Sequence, residues 1–95
     1  MLHVLRGPNA GSTYLLDGAE TSIGRHPESS IFLDDITVSR RHSSVDRVGE
    51  DSFTIRDADS LNGTYVNRER VESRELVDGD EVQVGRFHLV FHRGE

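Results

Sequence analysis

The sequence contains no cysteine, which excludes disulfides, thiolate metal sites and a cysteine nucleophile. That absence fits a reducing compartment, and a cytoplasmic location is expected. No apolar run approaches the roughly 20 residues a membrane span needs. The start, Met1 to Arg6, lacks the basic stretch and long apolar region of a signal peptide, so no membrane partner is expected. Helical periodicity is scarce, and there is no internal repeat or low-complexity tract. Positive charge is also short. Lys and Arg together number 11 against 17 Asp and Glu, a formal net charge of −6. An acidic domain is repelled by a phosphodiester polymer, so no nucleic-acid partner is expected. Any anion site must be built locally, against the overall field.

What is present is a globular balance at the polar end, 34% hydrophobic and 29% charged in 95 residues. This is the size of one domain, 1–95. Both ends sit close to regular structure, as in a domain cut from a longer chain. The apolar residues come in short β-branched or aromatic runs, punctuated by Gly, Asn, Asp and Ser roughly every eight to twelve residues, the pattern of a sandwich or barrel. The last run is the clearest. Phe87, Leu89 and Phe91 face one way, and His88, Val90 and His92 the other. Val82 and Val84 alternate with Glu81 and Gln83, and Phe53 and Ile55 with Thr54 and Arg56 after a turn at Gly49-Glu50-Asp51. Tyr65 and Val66 follow Asn62-Gly63, a tight-turn signal because both residues tolerate positive φ. Leu2 to Leu5, Tyr14 to Leu16, Thr21 to Gly24 and Ile31 to Leu33 read as further strands. About ten short strands leave little room for a helix, and two packed antiparallel sheets are the economical all-β solution. Asp34 to Arg41 is polar, shows neither period, and reads as a surface loop of the kind that carries binding residues.

Three clusters could carry chemistry. In Ser22-Ile23-Gly24-Arg25-His26-Pro27, Gly24 lets the backbone turn or approach closely, and Arg25 projects from a strand end. Its planar fork of donors matches carboxylate or phosphate oxygens. Alone, it reads better as a surface arginine paired with a nearby acid. In Val38-Ser39-Arg40-Arg41-His42, a hydroxyl, two guanidiniums and loop N–H groups supply the parts of an anion site. Alone, Arg40-Arg41 reads equally as a solvated basic patch and Ser39 as a turn residue. His42 reads as a buried histidine bracing the loop. In Asp59-Ser60-Leu61-Asn62-Gly63-Thr64-Tyr65-Val66-Asn67, Asn62 can exchange hydrogen bonds with a peptide backbone, or simply form a hairpin turn with Gly63.

Taken together, in this order and spacing, these residues are specific. Gly24-Arg25, then Ser39 and His42 three apart, then Asn62-Gly63, then Asn67, resemble the forkhead-associated (FHA) domain. The resemblance covers nearly the whole chain. The stretches Gly24 to Pro27, Val38 to His42 and Ser60 to Arg68 are most similar to the actinobacterial GarA/OdhI-type regulators within that family. It implies a two-sheet antiparallel β-sandwich of about eleven short strands, FHA/SMAD-like, that recognises phosphothreonine peptides and is not an enzyme. Arg25 and Ser39 would then contact the phosphate, with Arg40 beside them and Arg41 as a further phosphate or peptide donor. Asn62 would hold the peptide backbone, and Leu61 and Thr64 would contact the peptide or shape the loop. Gly24, His42, Gly63 and Asn67 would support the site. Many members place threonine where Leu61 stands, so one phosphate donor is missing here. The implied partners are phosphothreonine-bearing proteins, a serine/threonine kinase or its substrates, including metabolic enzymes of the 2-oxoglutarate/glutamate node. No cofactor is implied.

Three rivals compete. A hydrolase could use Ser39, His42 and Asp34 or Asp35, but there is no Gly-x-Ser-x-Gly elbow. A metal site could use His88 and His92, but they lie too far apart along an extended chain, and His3, His26 and His42 lack ligand spacing. A phosphate-independent interaction or oligomerisation module could use a sheet face.

Overall fold

A computed structural model describes residues 1–6, 11–16, 18–50 and 52–92, and for 4–6 the backbone alone. Asp51, in one of the expected turns, lies outside them. The described residues contain eleven strands and no helix. The strands are β1 (Leu2–Arg6), β2 (Thr13–Tyr14), β3 (Glu20–Gly24), β4 (Ile31–Phe32), β5 (Ser43–Arg47), β6 (Phe53–Asp57), β7 (Thr64–Val66), β8 (Glu69–Val71), β9 (Ser73–Glu75), β10 (Glu81–Val84) and β11 (Phe87–Phe91). They form a six-stranded sheet, in the order β2-β1-β11-β10-β7-β8, and a five-stranded sheet, β4-β3-β5-β6-β9. Every pairing is antiparallel except β3 with β4, where Ile23 lies opposite Ile31 in parallel register.

The period-2 pattern decides what faces inward. Phe87, Leu89 and Phe91 of β11 and Val82 and Val84 of β10 are fully buried, and the residues between them are half-exposed. From the second sheet, Ile23, Val45 and Ile55 meet them, with Ile31 and Leu33 closing one side. Phe53 reaches Phe91 edge to face, with ring centroids 5.7 Å apart. Burial of this kind contributes roughly 1.5–3 kcal/mol per large side chain. It fixes the two sheets against each other and so fixes the loops at their ends.

Three local features differ from the sequence reading. Asn62-Gly63 is not a hairpin turn. It lies in the crossing from β6 in one sheet to β7 in the other, and only Gly63 takes positive φ (88°). Asn67-Arg68 between β7 and β8 is instead a tight two-residue hairpin, with Val66 opposite Glu69 and φ of 52° and 70°. Positive φ at both central residues gives the turn whose twist matches the strands. Finally, the loop expected over Asp34 to Arg41 is anchored, because Val38 is 1% exposed and plugs into the core.

Candidate functional site

The loops β3–β4, β4–β5 and β6–β7 carry the three clusters, and hydrogen bonds stitch them into one surface. The backbone N–H of Arg25 donates to Ser39 O (3.0 Å), and that of His26 to Arg40 O (3.3 Å). This approach depends on Gly24, since a Cβ there would sit 2.1 Å from the Arg40 carbonyl oxygen. No L side chain fits, and φ is not the reason. Across the third loop, the N–H of Leu61 donates to Ser39 Oγ (2.9 Å), and Asn62 Nδ2 donates to Thr37 O (2.8 Å).

His42 braces the junction from below. It is 0% exposed. Its Nδ1 accepts the backbone N–H of Ser39 (3.1 Å), so Nε2 carries the proton and donates to Gly63 O (2.8 Å). One neutral imidazole thus ties the β4–β5 loop to the β6–β7 loop. Burial pulls its pKa below the usual histidine value, against opposing effects from Gly63 and Asp57. The histidine meets the backbone of Ser39 and not its hydroxyl. There is therefore no Ser–His nucleophile pair of the kind a hydrolase needs.

Beside His42 lies a polar knot that sequence reasoning missed. Asp57 Oδ1 accepts hydrogen bonds from the hydroxyls of Ser60 (2.5 Å) and Thr64 (2.7 Å), and Ser60 Oγ accepts the N–H of Gly63 (2.9 Å). Burial alone would raise the Asp57 pKa, but these hydrogen bonds outweigh it and hold the carboxyl below its ordinary value. Thr64 is corrected here. It was expected at the peptide or in the loop, yet it opens β7, is 0% exposed, and also bonds Ser43 Oγ (2.6 Å). Completion of this buried knot is what places it inside. A sequence signal existed in Asp57, Ser60 and Thr64 lying three and four apart, which suits a self-bonded turn.

What remains on the outside is donor-rich. Arg25, Arg40 and Arg41 are exposed, and no described residue pairs with the guanidinium of any of the three. The backbone N–H groups of Arg40 and Arg41 also meet no acceptor among the described residues. Because Leu61 N–H occupies one lone pair of Ser39 Oγ, the hydroxyl hydrogen of Ser39 is left to donate elsewhere. Asn62 keeps its carbonyl oxygen and its second amide hydrogen. Leu61 is 86% exposed, directly beside Ser39 and Asn62. Arg25, Ser39, Arg40 and Asn62 therefore share one end of the sandwich. Arg41 instead lines a groove on the outer face of the second sheet, with Ser22, Ser44 and Arg56. Asn67 sits away from the loops. It donates to Asp80 Oδ1 (2.9 Å) and accepts from Glu81 N–H (3.0 Å), fastening the β7–β8 turn to β10. Among the described residues no group of three or more His, Asp or Glu could hold a metal ion. His88 is instead spent on Glu81, at 3.1 Å.

An all-β sandwich with unpaired guanidinium, hydroxyl and amide donors gathered on adjoining loops is the build of a phosphopeptide-recognition module. The chain belongs to the FHA-domain family, whose model matches residues 21–85. It is 62% identical over 94 residues to the glycogen accumulation regulator GarA of Mycobacterium tuberculosis, covering 99% of this chain and 57% of that protein. It is 61% identical, again over 94 residues, to the oxoglutarate dehydrogenase inhibitor of Corynebacterium diphtheriae, covering 99% of this chain and 65% of that protein. The chain thus spans about three-fifths of the length of the relatives it matches. Among solved structures it is similar to one from a study of phosphothreonine-dependent FHA domain interactions. That structure has a TM-score of 0.89 and 31% identity, over 99% of this chain and 95% of the other.

Proposed function

We propose that this chain captures a phosphothreonine of a partner protein at the β3–β4, β4–β5 and β6–β7 loops, without catalysis. Arg25 supplies a guanidinium fork and Ser39 its hydroxyl to the phosphate oxygens. Arg40 adds charge, and Asn62 holds the peptide backbone beside the modified residue. The observation that carries this reading is the pairing pattern. Among the described residues the loop arginines have no acidic partner, in a chain of net charge −6, and the hydroxyl and amide beside them each keep a free donor.

A phosphate group brings about −2 charge and three strong acceptor oxygens. Charge-assisted hydrogen bonds contribute roughly 1.5–3 kcal/mol each. Two or three of them separate phosphorylated from unphosphorylated peptide by several powers of ten. Net affinity would still be about micromolar, because an extended peptide loses much freedom on binding.

The relatives named as a glycogen accumulation regulator and an oxoglutarate dehydrogenase inhibitor support a regulatory role toward metabolic enzymes, and the phosphothreonine reading extends that role to cytoplasmic serine/threonine kinase signalling. The partners would be a phosphorylated kinase, its substrates, or enzymes of the 2-oxoglutarate/glutamate node. The test is fluorescence anisotropy with a phosphothreonine peptide and its unmodified twin. Wild type should bind only the former, and Arg25→Ala should weaken it by about 10- to 150-fold with an unchanged melting temperature. Equal binding of both peptides, or no effect of Arg25→Ala, would point instead to a phosphate-independent sheet-face module.

A further inference from the structure

A groove of about 510 Å³ runs from the candidate site onto the outer face of the first sheet. Its floor is the cross-strand pair Tyr65 and Gln83. Arg68 and Arg86 flank it, and Asn62 and Thr37 close the end nearest the phosphate loops. From this geometry and charge we propose that the groove docks an acidic stretch of the partner polypeptide, next to its phosphothreonine. The proposal rests on the phosphothreonine reading above.

Three observations carry it. The first is continuity. Asn62 and Thr37, joined at 2.8 Å, belong both to the stitched loops and to the groove. A chain held by Asn62 therefore leaves the site directly over Tyr65 and Gln83.

The second is the sign of the wall. Among the described residues this groove is lined by two guanidiniums and no carboxylate. The groove on the outer face of the second sheet contains Glu20 and Glu28, and the one beneath the β6–β7 loop contains Asp57, Asp59 and Glu72. In a chain with six more acids than bases, a wall without acids is the exception.

The third is Arg68 itself. Arg47, Arg56, Arg74 and Arg86 are tied to carbonyls or carboxylates. Arg68 has no partner among the described residues, and it sits at φ 70°. An arginine there is strained where asparagine or glycine would not be, and among the described residues no hydrogen bond or ion pair of its side chain offsets that cost. Tyr65 likewise has no hydrogen-bond partner for its hydroxyl among the described residues, leaving a second donor in the floor. Arg86 is partly spent on Asp35, at 3.4 Å, so Arg68 carries most of the proposed discrimination.

The experiment uses this 95-residue chain and phosphothreonine peptides carrying paired Glu, paired Gln or paired Lys on either flank. Wild type should prefer the best-placed Glu peptide over its Gln counterpart by about fivefold at low salt, and the preference should vanish at high salt. Arg68→Asn suits the left-handed turn, so it should keep or raise the melting temperature. It should abolish the acidic preference and still bind the Gln peptide as wild type does. Arg68→Glu should turn the preference toward Lys. Equal wild-type affinity for Glu and Gln peptides overturns the proposal, and so does an Arg68→Asn loss that is the same for both. Failure of the phosphothreonine reading shows separately, as failure of wild type to distinguish the Gln peptide from its unphosphorylated twin before any flank is varied.

Discussion

Gly24→Ala tests whether the site is assembled by loop contact. The added Cβ would lie 2.1 Å from Arg40 O, 2.9 Å from Arg40 C and 3.2 Å from Ser29 Oγ. The first two are backbone atoms, so no rotamer change relieves the overlap. Ordinary contact begins near 3.4 Å, so the two loops must part by about 1.3 Å. The Arg25-to-Ser39 and His26-to-Arg40 hydrogen bonds, now 3.0 and 3.3 Å, do not survive that movement. Losing them costs about 1 kcal/mol each, and the residual overpacking about 1–3 kcal/mol more. A loss of about 3–5 kcal/mol is a large part of the roughly 5–14 kcal/mol such a domain has in all. It would lower the melting temperature by roughly 12–40 °C. The same movement separates Arg25 from Ser39, so phosphopeptide affinity, measured well below both melting temperatures, should fall about 30-fold through one lost charge-assisted contact. Gly79→Ala is the matched control. It has positive φ (91°) but open space around it, so it should cost about 1–2 kcal/mol and leave affinity unchanged. If Gly24→Ala melts within a few degrees of wild type and binds equally well, the contact-assembled site is refuted.

The remaining predictions can be checked with the same two assays. Ser39→Ala should cut phosphopeptide affinity by about 10- to 100-fold, since it removes a donor to the phosphate and strands the Leu61 N–H. Asn67→Ala should destabilise by about 1–2 kcal/mol through its two hydrogen bonds across the β7–β8 turn, with affinity unchanged. Acid should loosen the site before it unfolds the domain. The pKa of His42 is lowered on folding, so the unfolded chain takes up protons first. The stability held by the neutral ring is complete above about pH 6.5 and declines as pH falls below it. The carboxyls of Asp35 and Asp57, also lowered, add losses of the same sign only below about pH 4. A melting temperature flat between pH 6.5 and 5 would contradict this, as would the same slope in His42→Gln.

The sequence revealed strands wherever an inward face was apolar. β10 and β11 were plain because Val82, Val84, Phe87, Leu89 and Phe91 alternate without a break. β5 was hidden for the opposite reason. It lies inside its sheet, but its buried residues are Ser43, Ser44 and Val45, so one apolar residue stands for a whole strand. Ser43 faces inward because the Thr64 hydroxyl meets it with a hydrogen bond and is itself held by Asp57, a compensation no periodicity reveals. β8 and β9 were lost because Glu69–Val71 and Ser73–Glu75 are short and polar, and β9 lies at the edge of its sheet, where tertiary pairing alone makes it a strand. The parallel pairing of β3 with β4 was equally silent. The site was legible in its residue types and spacing, but its wiring was not. That Leu61 N–H orients the Ser39 hydroxyl, and that His42 spans two loops, depends on a crossing between sheets that Asn62-Gly63 does not announce.

The acidity of the chain bears on selectivity. All eleven basic side chains in the sequence are arginine, and four of those described are held by carbonyls or carboxylates. At physiological ionic strength the field of the remaining acids is felt only within about 8 Å. A polyanion laid across the surface meets that repulsion along its whole length. A single phosphate ester is only a few ångströms across, and at the loop tips it meets Arg25, Ser39 and Arg40 ahead of the acids. The net charge of −6 therefore does not oppose the proposed site. It penalises extended nucleic acid while sparing a single modified side chain. Added salt should consequently weaken capture of a phosphothreonine peptide far less than it weakens binding of a protein that neutralises many phosphates.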